Sequence, residues 1–286
     1  MARWDKIRHR GNVEDRRGAS APVKMAGGIG GMGLLFVVAV AIMGGGDSAM
    51  EVMDVLQDMN STTSYQQEGG QAPQFEGADE YEVFASTVLG SNNAMWEQVF
   101  DQGGRDYRAP KLVLFREATQ SGCGGARSAI GPHYCPVDET MYLDETFFDE
   151  LQKRFGAKGG DVAEAYVISH EVGHHIQTVL GISDQVRAAQ NKNPKSANGL
   201  SIKQELQADC FAGMWVHSIK NQGVLGRNEV YEAIDAAEAV GDDRIQEAVN
   251  GRVHPESWTH GSSADRKKWF NIGYEYGNFN RCNTFE

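Results

Sequence analysis

The chain has 286 residues, 41% of them hydrophobic and 23% charged, with a formal net charge of −12. That is material for one large domain or two small ones. An acidic body lacks the clustered cations that neutralising phosphates requires, so no nucleic-acid partner is expected.

The acid excess is uneven, because residues 1–24 carry seven Lys and Arg against three acidic residues. Directly after this basic head, residues 25–46 contain no charge, a length close to the ~20 residues that cross a hydrocarbon core. Eight glycines dilute the stretch around an apolar centre at 34–43, so a cleaved signal peptide competes with an anchor. No small-x-small cleavage site follows that centre, which favours a transmembrane helix. Basic residues on one flank, with Asp47 and Glu51 on the other, give the expected orientation: N-terminus cytoplasmic, body extracytoplasmic. Gly27 and Gly31 stand at helix-dimer spacing, compatible with a homo-oligomer through this segment.

Residues 47–77, rich in Gln, Ser, Thr and Gly, read as a linker with a short helix near 49–59. The folded body is expected over 78–286. Tyr81, Phe84, Val88, Met95, Trp96 and Phe100 fall at helical spacing, broken around Gly90-Ser91. The run "KLVLF" at 111–115 predicts a strand, and "HYC" and "TMYL" flanking "PVDE" predict a hairpin between His133 and Leu143. From Glu145 onward the pattern is helical. Strands followed by helices imply an α+β fold, a small β-sheet followed by the active-site helices. Cys123 and Cys135 bracket a glycine-rich loop that a disulfide could close in an oxidising compartment. Cys210 and Cys282 would form the other pair, with a buried free thiol at Cys210 as the competing reading.

Residues 161–180 carry the clearest helix pattern, with Asp161 as N-cap, Glu164 three residues on as in a capping box, and Gly181 as the stop. Within it lies "SHEVGHHIQ". At about 100° per residue, His170 and His174 sit about 40° apart on one face, whereas His175 is about 140° from His170 and cannot join them. This is H-E-x-x-H: two imidazoles for a zinc ion, and Glu171 beside them to take a proton from water. A catalytic zinc needs a third protein ligand. Gln177 and Leu180 occupy the positions where a metzincin needs glycine and histidine. "ELQADCFAGMW" offers Glu205 and Asp209 one turn apart, on an arc shared with Ile202, Leu206, Gly213 and Val216. Glu205 is read as the third ligand and Asp209 as the acceptor of a ligand histidine's second N–H.

The motif followed by E-x-x-x-D resembles the gluzincin metallopeptidases. The fuller set, "GCGGARSAIGPHYCPVDETMYLDETFFDEL", "SHEVGHHIQ", "ELQADCFAG" and "THGSSADR", resembles the bacterial neutral zinc metallopeptidase family of the YpfJ type. That resemblance implies a zincin-like domain with Zn2+ on His170, His174 and Glu205, Glu171 as acid/base, and both cysteine pairs. The N-terminal segment matches the family's usual arrangement, which implies a single-pass protein of the bacterial inner membrane. The expected activity is peptide-bond hydrolysis on a protein or peptide substrate. His260 is the candidate oxyanion donor, and Arg266 either supports it or binds acidic structure nearby. The strand at 140–143 is a candidate edge for holding extended substrate. His133, His217 and His254 read as structural. A zinc-stabilised scaffold or binding module, and a zinc amidase acting on a non-protein amide, are the alternatives.

Overall fold

The computed structural model describes residues 2–18, 79–155 and 159–286. Its strands are β1 (Asn12–Asp15), β2 (Lys111–Leu114), β3 (Ala118–Ser121), β4 (Gly124–Arg127), β5 (His133–Cys135) and β6 (Thr140–Leu143). Four of them form one sheet in the order β1-β2-β6-β5, and β3 and β4 form a separate hairpin. β1 and β6 both run parallel to β2, and β5 runs antiparallel to β6. Leu112, Val113 and Leu114, and every residue of β6, are buried, as interior strands covered on both faces require.

The helices are α1 (Glu80–Gln102), α2 (Thr146–Phe155), α3 (Asp161–Val179), α4 (Ile182–Lys192), α5 (Ala197–Ile219), α6 (Arg227–Ala239), α7 (Asp242–Asn250) and α8 (Ser263–Tyr276). The fold is therefore α+β, with small sheets and many helices. α3 and α5 cross the middle of the main core, which buries Trp96, Tyr166, Phe211 and Trp215. Fifteen of the 19 residues of α3 are buried. Such a helix can carry polar groups only where they pair with one another or with a ligand. Gly173 lies against the backbone of Ala208, where a Cβ would come within 2.9 Å. That contact lets α3 and α5 approach closely enough for side chains of both to share one point.

The N-terminal head departs from expectation. Its β1 is a strand of the main sheet, in register with β2 from Asn12 opposite Lys111 to Asp15 opposite Leu114. Ala2 N and Trp4 Nε1 donate to the Asp161 carboxylate at 3.2 and 2.8 Å, and Ile7 is part of the core. The folded unit thus includes residues 2–18, which are not a separate basic head. A single crossing between residues 18 and 79 would put β1 and β2 on opposite faces of a membrane, whereas they share backbone hydrogen bonds. Among the described residues no helix is long and apolar enough to cross a membrane, and the expected span at 25–46 lies outside them. The single-pass inner-membrane placement, with head inside and body outside, is overturned. The expected linker at 47–77 and the homo-oligomer through the glycine-rich segment also fall outside the described residues.

Two local readings change for the same reason. Asp161 is the first residue of α3 rather than its cap, which is Gly160, because its carboxylate serves the head instead. α1 continues unbroken through Gly90. A Cβ at Gly90 would meet the backbone of Arg10 at 2.5 Å, so this glycine admits the head.

Candidate active site

α3 and α5 bring His170, His174 and Glu205 together, with one donor atom from each lying within 4.8 Å of the others. The His170 and His174 rings stand at 90° with centroids 4.8 Å apart. Nε2 of His170 is 3.2 Å from Glu205 Oε2, and Nε2 of His174 is 3.4 Å from Glu205 Oε1. Each ring is held through its other nitrogen. His170 Nδ1 pairs with Asp209 Oδ1 at 2.9 Å, and His174 Nδ1 pairs with Gln177 Oε1 at 2.9 Å. Both Nε2 atoms are thereby directed at the common point.

Asp209 is fully buried and shared. It accepts from Tyr166 Oη at 2.6 Å and from the Arg266 guanidinium at 2.8 and 2.9 Å. Arg266 therefore binds acidic structure beneath the site. Burial pulls the His170 ring down, but Asp209 and Glu205 outweigh it and push the ring up to about 9. Burial opposes charge on Glu205 too, yet His174 and His170 hold its carboxyl well below the usual range. Three donor atoms converging on one buried point could hold a metal ion. Two imidazole nitrogens and a carboxylate oxygen fit zinc.

The cradle opens into a cleft of about 120 Å³ that Glu171 and His260 also line. His260 sits in the loop before α8 and is half-buried. Its Nδ1 is 3.0 Å from Asp242 Oδ1, while Asp242 Oδ2 accepts the backbone N–H groups of Thr259, His260 and Gly261 at 2.8, 2.7 and 3.0 Å. One carboxylate thus fixes both the loop and the ring. Burial lowers the basicity of His260, but the hydrogen bond to Asp242 raises it further, for a net upward shift.

A wall of the cleft is made by Ile130, Pro132, His133 and Tyr134, with Phe147, Val167 and Val240 adding apolar surface. His133 is therefore a cleft residue, not a remote structural one. The strand at 140–143 is interior, between β2 and β5; the edge beside the cleft is β5, two of whose three residues line it. His175 stands behind this wall, with Nδ1 3.1 Å from Tyr134 Oη and Nε2 2.6 Å from Arg108 O. His217 pairs with Tyr274 O at 2.7 Å, and His254 is exposed beside Glu256. Both disulfides, Cys123–Cys135 and Cys210–Cys282, are formed.

Sequence reading missed Gln177, Asp242 and the apolar wall. Gln177 carried a signal, three residues beyond His174 on the same helix. Asp242 carried none, since 18 residues separate it from His260.

The fold is α+β, and its buried His–His–Glu cradle, opening on a cleft beside Glu171, is a group that could hold a metal ion. The chain belongs to the family described as "Putative neutral zinc metallopeptidase", whose profile matches residues 2–285. It is 43% identical over 292 aligned positions to YpfJ of Escherichia coli K12, covering 99% of this chain and 98% of that protein. It is 40% identical over 222 positions to Rv2575 of Mycobacterium tuberculosis H37Rv, covering 73% of each. No solved structure matches it.

Proposed function

We propose that the chain is a zinc-dependent endopeptidase that hydrolyses peptide bonds with Glu171 as the general base. The supporting observation is that His170, His174 and Glu205 converge within 4.8 Å at the base of a cleft that Glu171 also lines. His170, His174 and Glu205 would hold the zinc ion, which would supply Lewis-acid polarisation and make water acidic enough to attack at neutral pH.

The protein does the rest. The Glu171 carboxylate takes a proton from the attacking water and returns it to the leaving nitrogen. The His260 ring, held by Asp242, donates toward the carbonyl oxygen as negative charge develops there. The β5 edge receives the substrate as an added strand, which suits an extended protein or peptide segment better than a compact amide. Among the cleft-lining residues the sole Arg or Lys is Arg266, which Asp209 holds in two hydrogen bonds. Among the described residues no Lys or other Arg lines the cleft to face a terminal carboxylate, which favours internal bonds.

The test replaces Glu171 with Gln. The variant is expected to bind one zinc ion per chain, by metal analysis, and to lose about 10²–10⁴-fold in hydrolysis of a denatured protein substrate. Undiminished cleavage would remove Glu171 from the mechanism, and absence of zinc from the wild type would remove the reading altogether.

A further inference from the structure

Four residues of the cleft wall, Ile130, Pro132, His133 and Tyr134, lie within the loop that the Cys123–Cys135 disulfide closes. This loop meets the body at a few points: β4 pairs with β3, Ser128 N donates to Glu117 O at 2.8 Å, and Tyr134 packs into the main core with Oη 3.1 Å from His175 Nδ1. Its last strand, β5, pairs with β6 over three residues only. Cys135 turns away from the main core into a separate small cluster with Val113, Phe115, Ala126 and Tyr142, against which Cys123 packs. The turn carrying Cys123 is held by Gly122 N donating to Asp138 Oδ2 at 2.6 Å, and Asp138 also accepts from Tyr142 Oη at 2.7 Å. On the cleft side, Gly131 adopts φ +80° with the Phe147 ring 3.1 Å from where a Cβ would sit. The wall is thus set between Phe147 on its inner side and the disulfide cluster on its outer side.

The metal cradle has no such dependence. Its rings are fixed by Asp209 and Gln177, which belong to α5 and α3 and not to this loop. We propose that the Cys123–Cys135 disulfide is a positioning element for substrate: it holds the β5 wall in place for binding, and its opening weakens substrate capture while leaving the metal cradle and the chemical step intact. The proposal rests on the peptidase reading for its kinetic arm alone.

The two disulfides differ in access. Cys123 is partly exposed, whereas Cys210 and Cys282 are buried at 0% and 1%. Exchange requires a thiolate to reach a sulfur, so a dithiol reductant opens Cys123–Cys135 first. The reductant thiolate bonds to Cys123 Sγ as the Sγ–Sγ bond breaks, and Cys135 leaves as a thiolate that takes up a proton. The second reductant thiol then displaces Cys123 and closes the reductant into its own disulfide, so two electrons pass to the protein.

The experiment treats the zinc-loaded full chain with dithiothreitol, maps the open pair by differential alkylation, and measures kcat, KM, zinc content and amide exchange. A Cys123→Ser/Cys135→Ser double variant runs in parallel. The expected result is alkylation at Cys123 and Cys135 alone, KM raised roughly tenfold, and kcat and zinc content within about twofold of the oxidised protein. Amides at 131 and 133–135 should exchange about tenfold faster or more, with those of α3 unchanged. An unchanged KM, zinc lost together with kcat, or earlier opening of Cys210–Cys282 would overturn the proposal. If the double variant does not fold, the reductant arm decides. If the oxidised wild type cleaves nothing, the peptidase reading fails, and the exchange arm still shows whether the disulfide holds the wall.

Discussion

The metal cradle and the N-terminal head both rest on buried charge, yet they are written into the chain at different ranges. In the cradle, His170 and His174 stand one turn apart on α3 with Glu171 beside them, and helix geometry puts the two rings on one face. In the head, the Arg17 guanidinium has a side-chain exposure of 2% and pairs with Asp15, Asp79 and Glu145 at 2.6, 2.8 and 3.1 Å. The last of these is 128 residues away. A histidine pair at i, i+4 looks the same in sequence as in space. A cluster of arginines before an apolar run does not, because an arginine solvated beside a membrane and one buried among carboxylates are the same letter.

Breaking the head should therefore cost much and leave the cradle intact. Arg17→Ala leaves Asp15 and Asp79 without this cation and Glu145 with Arg116 alone. Because the carboxylates are partly exposed, the loss should be about 2–4 kcal/mol, toward the lower end of that for a buried pair. Urea unfolding followed by tryptophan fluorescence should show that loss, with zinc stoichiometry of the folded fraction unchanged. A loss under about 1 kcal/mol, the worth of an exposed pair, would mean that the head is not a structural part of the domain.

This contrast explains what the sequence disclosed. The α+β order, α3 and the strands β2 and β6 follow from periodicity and composition, which act over a few residues. Glu205 and Asp209 were findable because two acids on an inward arc of α5 need a partner. β1, the continuity of α1 through Gly90 and the role of Asp161 were not, since each depends on the head folding back across some 75 to 160 residues. Asp242 was hidden in the same way. Its carboxylate joins a helix start to a loop with no spacing rule between them.

A smaller effect sharpens the comparison inside the cradle. His170 is oriented from another helix by Asp209, whereas His174 is oriented locally by Gln177. Gln177→Met removes the acceptor from His174 Nδ1 and keeps the volume. Zinc affinity should fall about 10–100-fold, as when an outer partner of a ligand histidine is lost. Competition with a chromophoric chelator reads this directly, and an affinity within twofold of wild type would show that packing alone orients the ring.

The smallest effect falls where the two regions meet. Glu164 lies on α3, between the head and the cradle. Burial, with Asp161, Glu145 and Asp149 adding like charge and the Tyr81 side chain opposing, raises its carboxyl from 4.5 to about 7. Between those values the folded protein keeps a proton that the unfolded chain has released. Its contribution to stability is therefore complete below the unfolded value and is lost as pH rises through about 7. At about 1.4 kcal/mol per unit the shift corresponds to ~3 kcal/mol, and solvent reaching the partly exposed carboxyl reduces this to about 1–2 kcal/mol. Glu164→Gln places a neutral amide there at all pH values. Its stability relative to wild type should therefore rise by that amount between about pH 5 and about pH 8 in denaturant titrations. Parallel pH profiles for the two proteins would show that Glu164 is solvated, and that the head does not seal this end of α3.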